Sequence, residues 1–136
     1  MRRSILLLAV TLSSAIACSG SDTTRPMTPA VEGSWNLNTV NGSALPYTLQ
    51  ATNPKIEVLS DQISFATGGT FTETGNFRVT DAGLVSMQPV NKSGTWTVNG
   101  TALTFTFLSG STGTGTVSGS SFTVSVDGFS RMYSRQ

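Results

Sequence analysis

In GTWTVNGTALTFTF, residues 94–107, the apolar side chains fall on alternate positions. Trp96 and Val98 share one parity before Asn99-Gly100, Leu103, Phe105 and Phe107 share one after it, and threonine fills the gaps between them. Successive side chains of a strand point to opposite faces, so this spacing builds a ribbon with one oily face, whereas a helix would scatter the same rings around its axis. Asn-Gly suits a tight turn between two such arms, which makes the segment a β-hairpin. A one-sided ribbon must bury its oily face against other strands or by curling on itself.

The same period recurs from Gly33 onward between Gly, Asn, Asp and Pro breaks. In SWNLNTV, Trp35 and Leu37 lie on one side and Asn36 and Asn38 on the other; in GTFTETGNFRVT, Phe71, Phe77 and Val79 have one parity. Phe122, Val124 and Val126 form an apolar row, with a turn before it at Ser118–Ser121 and another after it at Asp127-Gly128. Phe129, Arg131 and Tyr133 share a parity on the last run, so if the two rings point inward the arginine does too. In KIEVLSDQISFA the apolar parity switches between Ile56/Val58 and Ile63/Phe65, which requires a bulge or turn near Ser60-Asp61. Leu45 to Thr52 is the one stretch with a hint of helical spacing, kept short by Pro46 and Pro54. Strands are expected over about 33–40, 55–66, 70–80, 84–90, 93–99, 102–109, 113–118 paired with 121–127, and 129–134. Short connections imply an antiparallel meander, and about eight strands suffice to close it into an up-and-down β-barrel without exposed edges. The fold class is all-β.

The chain starts differently. Arg2 and Arg3 precede an apolar run from Ile5 to Ala17, and Ala15-Ile16-Ala17 abuts Cys18, the single cysteine. This is a signal-peptide layout over residues 1–17, well short of the roughly 20 apolar residues a membrane-crossing helix needs. No other segment is apolar and long enough to span. Residues 18–31, with SGSDTTRPMTPA at their heart, are too polar to pack and read as a disordered tether, which places the folded domain at 32–136. The small residues ending at a cysteine resemble a bacterial lipoprotein signal, with Ala15 where that pattern usually has a large aliphatic residue. The resemblance implies that Cys18 is lipidated and becomes the first residue of the mature chain, and Ser19 after it implies the outer membrane, on its periplasmic or surface face. Several acyl chains anchor a protein stably where one does not. The competing reading is an ordinary A-x-A cleavage site that frees a secreted protein.

Charge and residue types narrow the function. Past Cys18 six basic residues (Arg25, Lys55, Arg78, Lys92, Arg131, Arg135) face seven acidic ones, which argues against nucleic acid as a partner. There is no histidine, which excludes imidazole-based catalysis and leaves zinc and copper without their usual ligands. No cofactor is implied, and the protein is not expected to be an enzyme. Glu57 and Glu73, on neighbouring strands, could form a carboxylate pair, although acidic residues on strands usually just face water. Gly110, Gly113, Gly115 and Gly119 lack the lysine and the strand-to-helix setting of a phosphate loop and read as turns and a flexible strand.

GSWNLNTVNGSALP, GTWTVNGTALTFTF and DGFSRMYSRQ resemble the lipocalin-like domains of bacterial lipoproteins, over roughly Val31 to Gln136. In that family the tryptophan of Gly-x-Trp closes the barrel floor and an arginine of the last strand packs over it. The resemblance therefore assigns the floor to Trp35, with Arg131 as the candidate for the arginine. Apart from the resemblance, the aromatic row of an eight-stranded barrel can line a cavity for a small hydrophobic ligand, with Trp35, Phe65, Phe71, Phe77, Trp96, Phe105, Phe107, Arg131 and Tyr133 as candidate pocket residues. The alternative is that these rings simply fill the interior, leaving a non-catalytic structural or interaction protein.

Overall fold

Wherever the alternation is interrupted by Asn41-Gly42, Ala82-Gly83 or Asp127-Gly128, the backbone reverses. In the computed structural model, which describes residues 30–136, both residues of each pair have positive φ, between 48° and 81°. That is the type I′ geometry whose twist matches the strands it joins. Ten strands result: β1 (Gly33–Val40), β2 (Ser43–Ala44), β3 (Tyr47–Gln50), β4 (Lys55–Phe65), β5 (Thr70–Asp81), β6 (Leu84–Asn99), β7 (Ala102–Phe107), β8 (Thr112–Ser118), β9 (Ser121–Val126) and β10 (Phe129–Arg135). The expected signal peptide, Cys18 and most of the tether lie outside the described residues.

Sequential antiparallel pairing runs from β3 to β10, and β10 then pairs with β1. Gly33–Asn36 of β1 also pairs with Gln62–Phe65 of β4, which closes an eight-stranded barrel of β1 and β4 to β10. Closure leaves no edge along that seam, as the all-β alternation requires. Above it β1 and β4 part, and β2 and β3 fill the gap as a flap.

Three local expectations are corrected. The runs at 84–90 and 93–99 are one strand, because β5 pairs with β6 without a break from Thr70↔Thr95 to Asp81↔Leu84. Leu45 to Thr52 holds strand β3 instead of a helix: Tyr47 pairs with Val58, and Leu45, Tyr47 and Leu49 pack on the core with period 2. Asn99 pairs with Ala102, so the tight turn is Gly100-Thr101, one residue later than the Asn-Gly pair suggests, with φ of 61° at Gly100. The expected bulge is present, with the β4–β5 register shifting between Val58 and Ser60. Below it Asp61, Ile63 and Phe65 point inward; above it Val58 does.

Candidate functional site

The barrel has two dissimilar halves. At the end where the chain enters, aromatic rings close the floor. Phe65 stacks on Phe105 with ring centroids 5.5 Å apart and meets Phe71, Trp96 and Phe122 within 6.3 Å. Phe71 lies edge-on to Phe107 at 5.1 Å, and Phe122 stacks on Tyr133 at 4.6 Å. Trp35 is fully buried under Phe122, and its indole N–H donates to the Val31 carbonyl at 2.8 Å. Of the candidate pocket residues, then, Trp35, Phe65, Phe71, Phe105 and Phe107 pack on one another or on their neighbours in the core, and half-buried Trp96 donates to the Ala66 and Thr70 carbonyls. The arginine over the floor is Arg135, its guanidinium 4.5 Å from the Trp35 ring, not Arg131. Both have the inward parity of β10, but Arg135 pairs directly with Trp35, whereas Arg131 lies four residues deeper. Arg135 also donates to the Glu32 and Ala30 carbonyls, so one side chain closes the ring face and ties down the entering strand.

Arg131 sits mid-barrel in a buried ionic cluster. Its Nη1 donates to Glu73 Oε1 at 3.1 Å and, more weakly, to Asp61 Oδ2 at 3.5 Å, while the Tyr133 hydroxyl donates to Asp61 Oδ2 at 2.7 Å. The two carboxylate side chains retain 4 % of their surface each. Among the described residues Asp61 Oδ1 and Glu73 Oε2 have no hydrogen-bond partner. Burial pushes the Asp61 carboxyl up to about 7, and the negative charge of Glu73 adds to that rise. The Tyr133 phenol, buried beside them, is held well above its ordinary range. Among the described residues no three acidic, cysteine or histidine groups converge as metal ligands.

Above the cluster the barrel opens. β7 pairs with β6 only along Gly94–Asn99, so the first half of β6 and its β5 partner project as an arm. Phe77, Val79 and Val90, on the inward face of the arm, are half-buried, as are Leu45, Tyr47 and Leu49 of the flap and Phe129 opposite. Tyr47 meets Phe129 edge-on at 6.3 Å. The flap is fixed by Asn41, whose side chain donates to the Tyr47 hydroxyl at 3.0 Å and accepts from the Ser130 N–H at 2.9 Å. Separate from the mouth, a concavity of about 400 Å³ over the β5–β6 ladder is lined by Thr72, Glu73, Thr74, Asn91, Lys92 and Ser93, four of which point outward. Lys92, directly across the ladder from Glu73, is exposed and places Nζ 5.4 Å from the Phe107 ring centroid.

The carboxylate pair that Glu57 and Glu73 could have made is not formed. Glu57 pairs with Arg78 across the ladder, on the outer face, bonded at 2.8 Å to Arg78 and 2.9 Å to Lys55. Those hydrogen bonds, Arg78's first, pull its carboxyl down to about 2. The acid that meets Glu73 is Asp61. The bulge puts Asp61 on the Ile63/Phe65 row, and Glu73 and Gly75 lie on the Phe71/Phe77 row, a signal the parity contained. Gly110 and Gly119 are positive-φ turn residues. Gly113 and Gly115 lie in β8, where a Cβ at Gly113 would stand 2.6 Å from a Val126 methyl and one at Gly115 2.0 Å from the Thr123 carbonyl oxygen.

Compared with known families, residues 31–128 match the model of the lipocalin-like domain. No curated protein and no solved structure matches the chain.

Proposed function

The chain belongs to the lipocalin-like domain family, and from that premise we propose that it is a non-catalytic binding protein taking a small hydrophobic ligand at the open end of the barrel. The observation that carries this reading is the ring of half-buried apolar side chains, Leu45, Tyr47, Leu49, Phe77, Val90 and Phe129, above the ionic cluster. All but Val90 pack against the core and yet stay partly exposed, and an apolar surface with a few convergent polar groups is how small-molecule sites are built. The floor contributes rigidity. The test is the fluorescence of N-phenyl-1-naphthylamine, a neutral apolar probe. Enhancement that is abolished by Leu49→Asp at the mouth and kept by Thr104→Asp on the outer face supports the reading. No enhancement, or enhancement indifferent to Leu49→Asp, refutes it and favours a second reading, a filled barrel serving as a structural or interaction protein. The filled aromatic floor speaks for that second reading.

The cellular setting is part of the proposal. Cleavage before Cys18 and lipidation of its thiol would tether the domain to the cell envelope, at the outer membrane, through residues 18–31. The described chain begins at the floor end, beside Arg135, the end of the barrel opposite the mouth. Intact mass of the mature protein decides this point, an unmodified Cys18 amino terminus being the refuting result.

A further inference from the structure

The ionic cluster is short of donors. Its two carboxylates present four oxygens: Arg131 Nη1 reaches Glu73 Oε1 and, more weakly, Asp61 Oδ2, and the Tyr133 hydroxyl reaches Asp61 Oδ2 alone. Asp61 Oδ1 and Glu73 Oε2 are left bare inside the protein. Buried polar atoms are nearly always paired, and an orphaned carboxylate oxygen is among the costlier exceptions. One guanidinium between two carboxylates also leaves one negative charge in surplus. Lys92 does not supply the missing charge, although it faces Glu73 across the ladder, since its ammonium lies over Phe107. That Asp61 is driven towards its protonated form is what such a surplus produces when only a proton is at hand to relieve it.

We propose that the bare oxygens Asp61 Oδ1 and Glu73 Oε2 form the polar pole of the mouth site, and that its ligand is an amphiphile headed by an amine. This rests on the reading of the open end as a ligand site. A protonated amine has three N–H donors and no acceptor, the complement of an acceptor-only pair carrying surplus negative charge. The apolar part of the ligand then lies along Phe77, Val90, Tyr47 and Leu49. Arg131 keeps 10 % of its side-chain surface accessible, so the cluster is not wholly sealed from solvent. A carboxylate-headed or phosphate-headed amphiphile would meet two acids whose one counter-cation is already engaged, and is rejected.

The experiment compares dodecylamine, dodecanol and dodecanoate by calorimetry below their micellar concentrations, at pH 8. The amine is expected to bind at least about tenfold more tightly than the alcohol, with dodecanoate weakest. Glu73→Gln and, independently, Asp61→Asn are each expected to bring the amine to within about threefold of the alcohol measured on the same variant. Equal binding of the three, or an amine preference that survives both variants, overturns the proposal and leaves the hydrophobic mouth standing. Binding of none of them overturns both.

Discussion

Asp61 makes the stability of this barrel depend on pH in the direction opposite to that of most acidic residues. Burial and the neighbouring Glu73 raise its carboxyl from 3.8 to about 7, so between those limits the folded protein holds a proton that the unfolded chain has released. The contribution of Asp61 to stability is therefore greatest below pH 4, falls as pH rises towards 7, and is flat beyond. At 1.36 kcal/mol per pH unit the interval amounts to about 4 kcal/mol, a ceiling, since relaxation and water entry lower the desolvation penalty. Glu57 works the other way: its salt bridges stabilise the fold above pH 4.5, and that contribution is lost as pH falls through about 2. The window from pH 5 to 8 thus reports Asp61 without interference from Glu57. Urea midpoints measured across it at constant ionic strength should fall with pH for the wild type. Asp61→Asn keeps an acceptor for the Tyr133 hydroxyl and cannot ionise, so its midpoints should stay level and exceed the wild type's at pH 8. A wild-type midpoint that is flat or rises from pH 5 to 8, or an Asn variant that tracks the wild type, would refute a buried, proton-holding Asp61.

Two further substitutions probe the frame around the site. Gly115→Ala should destabilise by about 3 kcal/mol or more in chemical denaturation, because its Cβ would stand 2.0 Å from a backbone oxygen of the paired strand β9, which cannot rotate away; an unchanged midpoint would mean that the ladder is looser there than described. Arg135→Ala removes the cation over Trp35 and two bonds to the entering strand, and should cost about 1 kcal/mol with a shift in tryptophan emission, while Arg131→Ala, well away from that ring, leaves emission unchanged.

Much of this architecture could be read from residue order alone, for a physical reason: side-chain parity is local. The rows Trp35/Leu37, Leu103/Phe105/Phe107 and Phe122/Val124/Val126 all point inward as their spacing requires. What parity does not contain is depth along the barrel. Arg131 and Arg135 have the same inward parity on one strand, and only the register against β1 decides that Arg135 meets Trp35. Parity also fails silently across a bulge. Glu57 and Asp61 are both odd-numbered, yet the extra residue between Val58 and Ser60 sends one outward to Arg78 and the other inward to Arg131. Spacing therefore offered Glu57 as the partner of Glu73, when following the switch from Val58 to Ile63 puts Asp61 in that place. The continuity of β6 was hidden for a related reason: Asn91-Lys92 looks like a break until twelve successive residue pairs with β5 carry the strand through it.

The projecting arm runs against the expectation that the chain curls up to remove its edges, because among the described residues the first half of β6 has no partner on its outer side. Pro89 resolves the conflict. It pairs with Asn76 in the middle of that stretch, and proline, lacking an N–H, is accepted in a ladder only where its nitrogen faces away from the partner strand. The free edge therefore lacks a donor at its centre, and exposed Lys92 lies further along it, the two devices by which natural sheets discourage strand addition. An edge blunted in this way is of little use for recruiting another strand, but its inward face still presents Val90 opposite Gly75 and shares that face with Phe77. The arm thus keeps its wall and gives up its edge. An arm that recruited protein partners through its edge would have no reason to place a proline there.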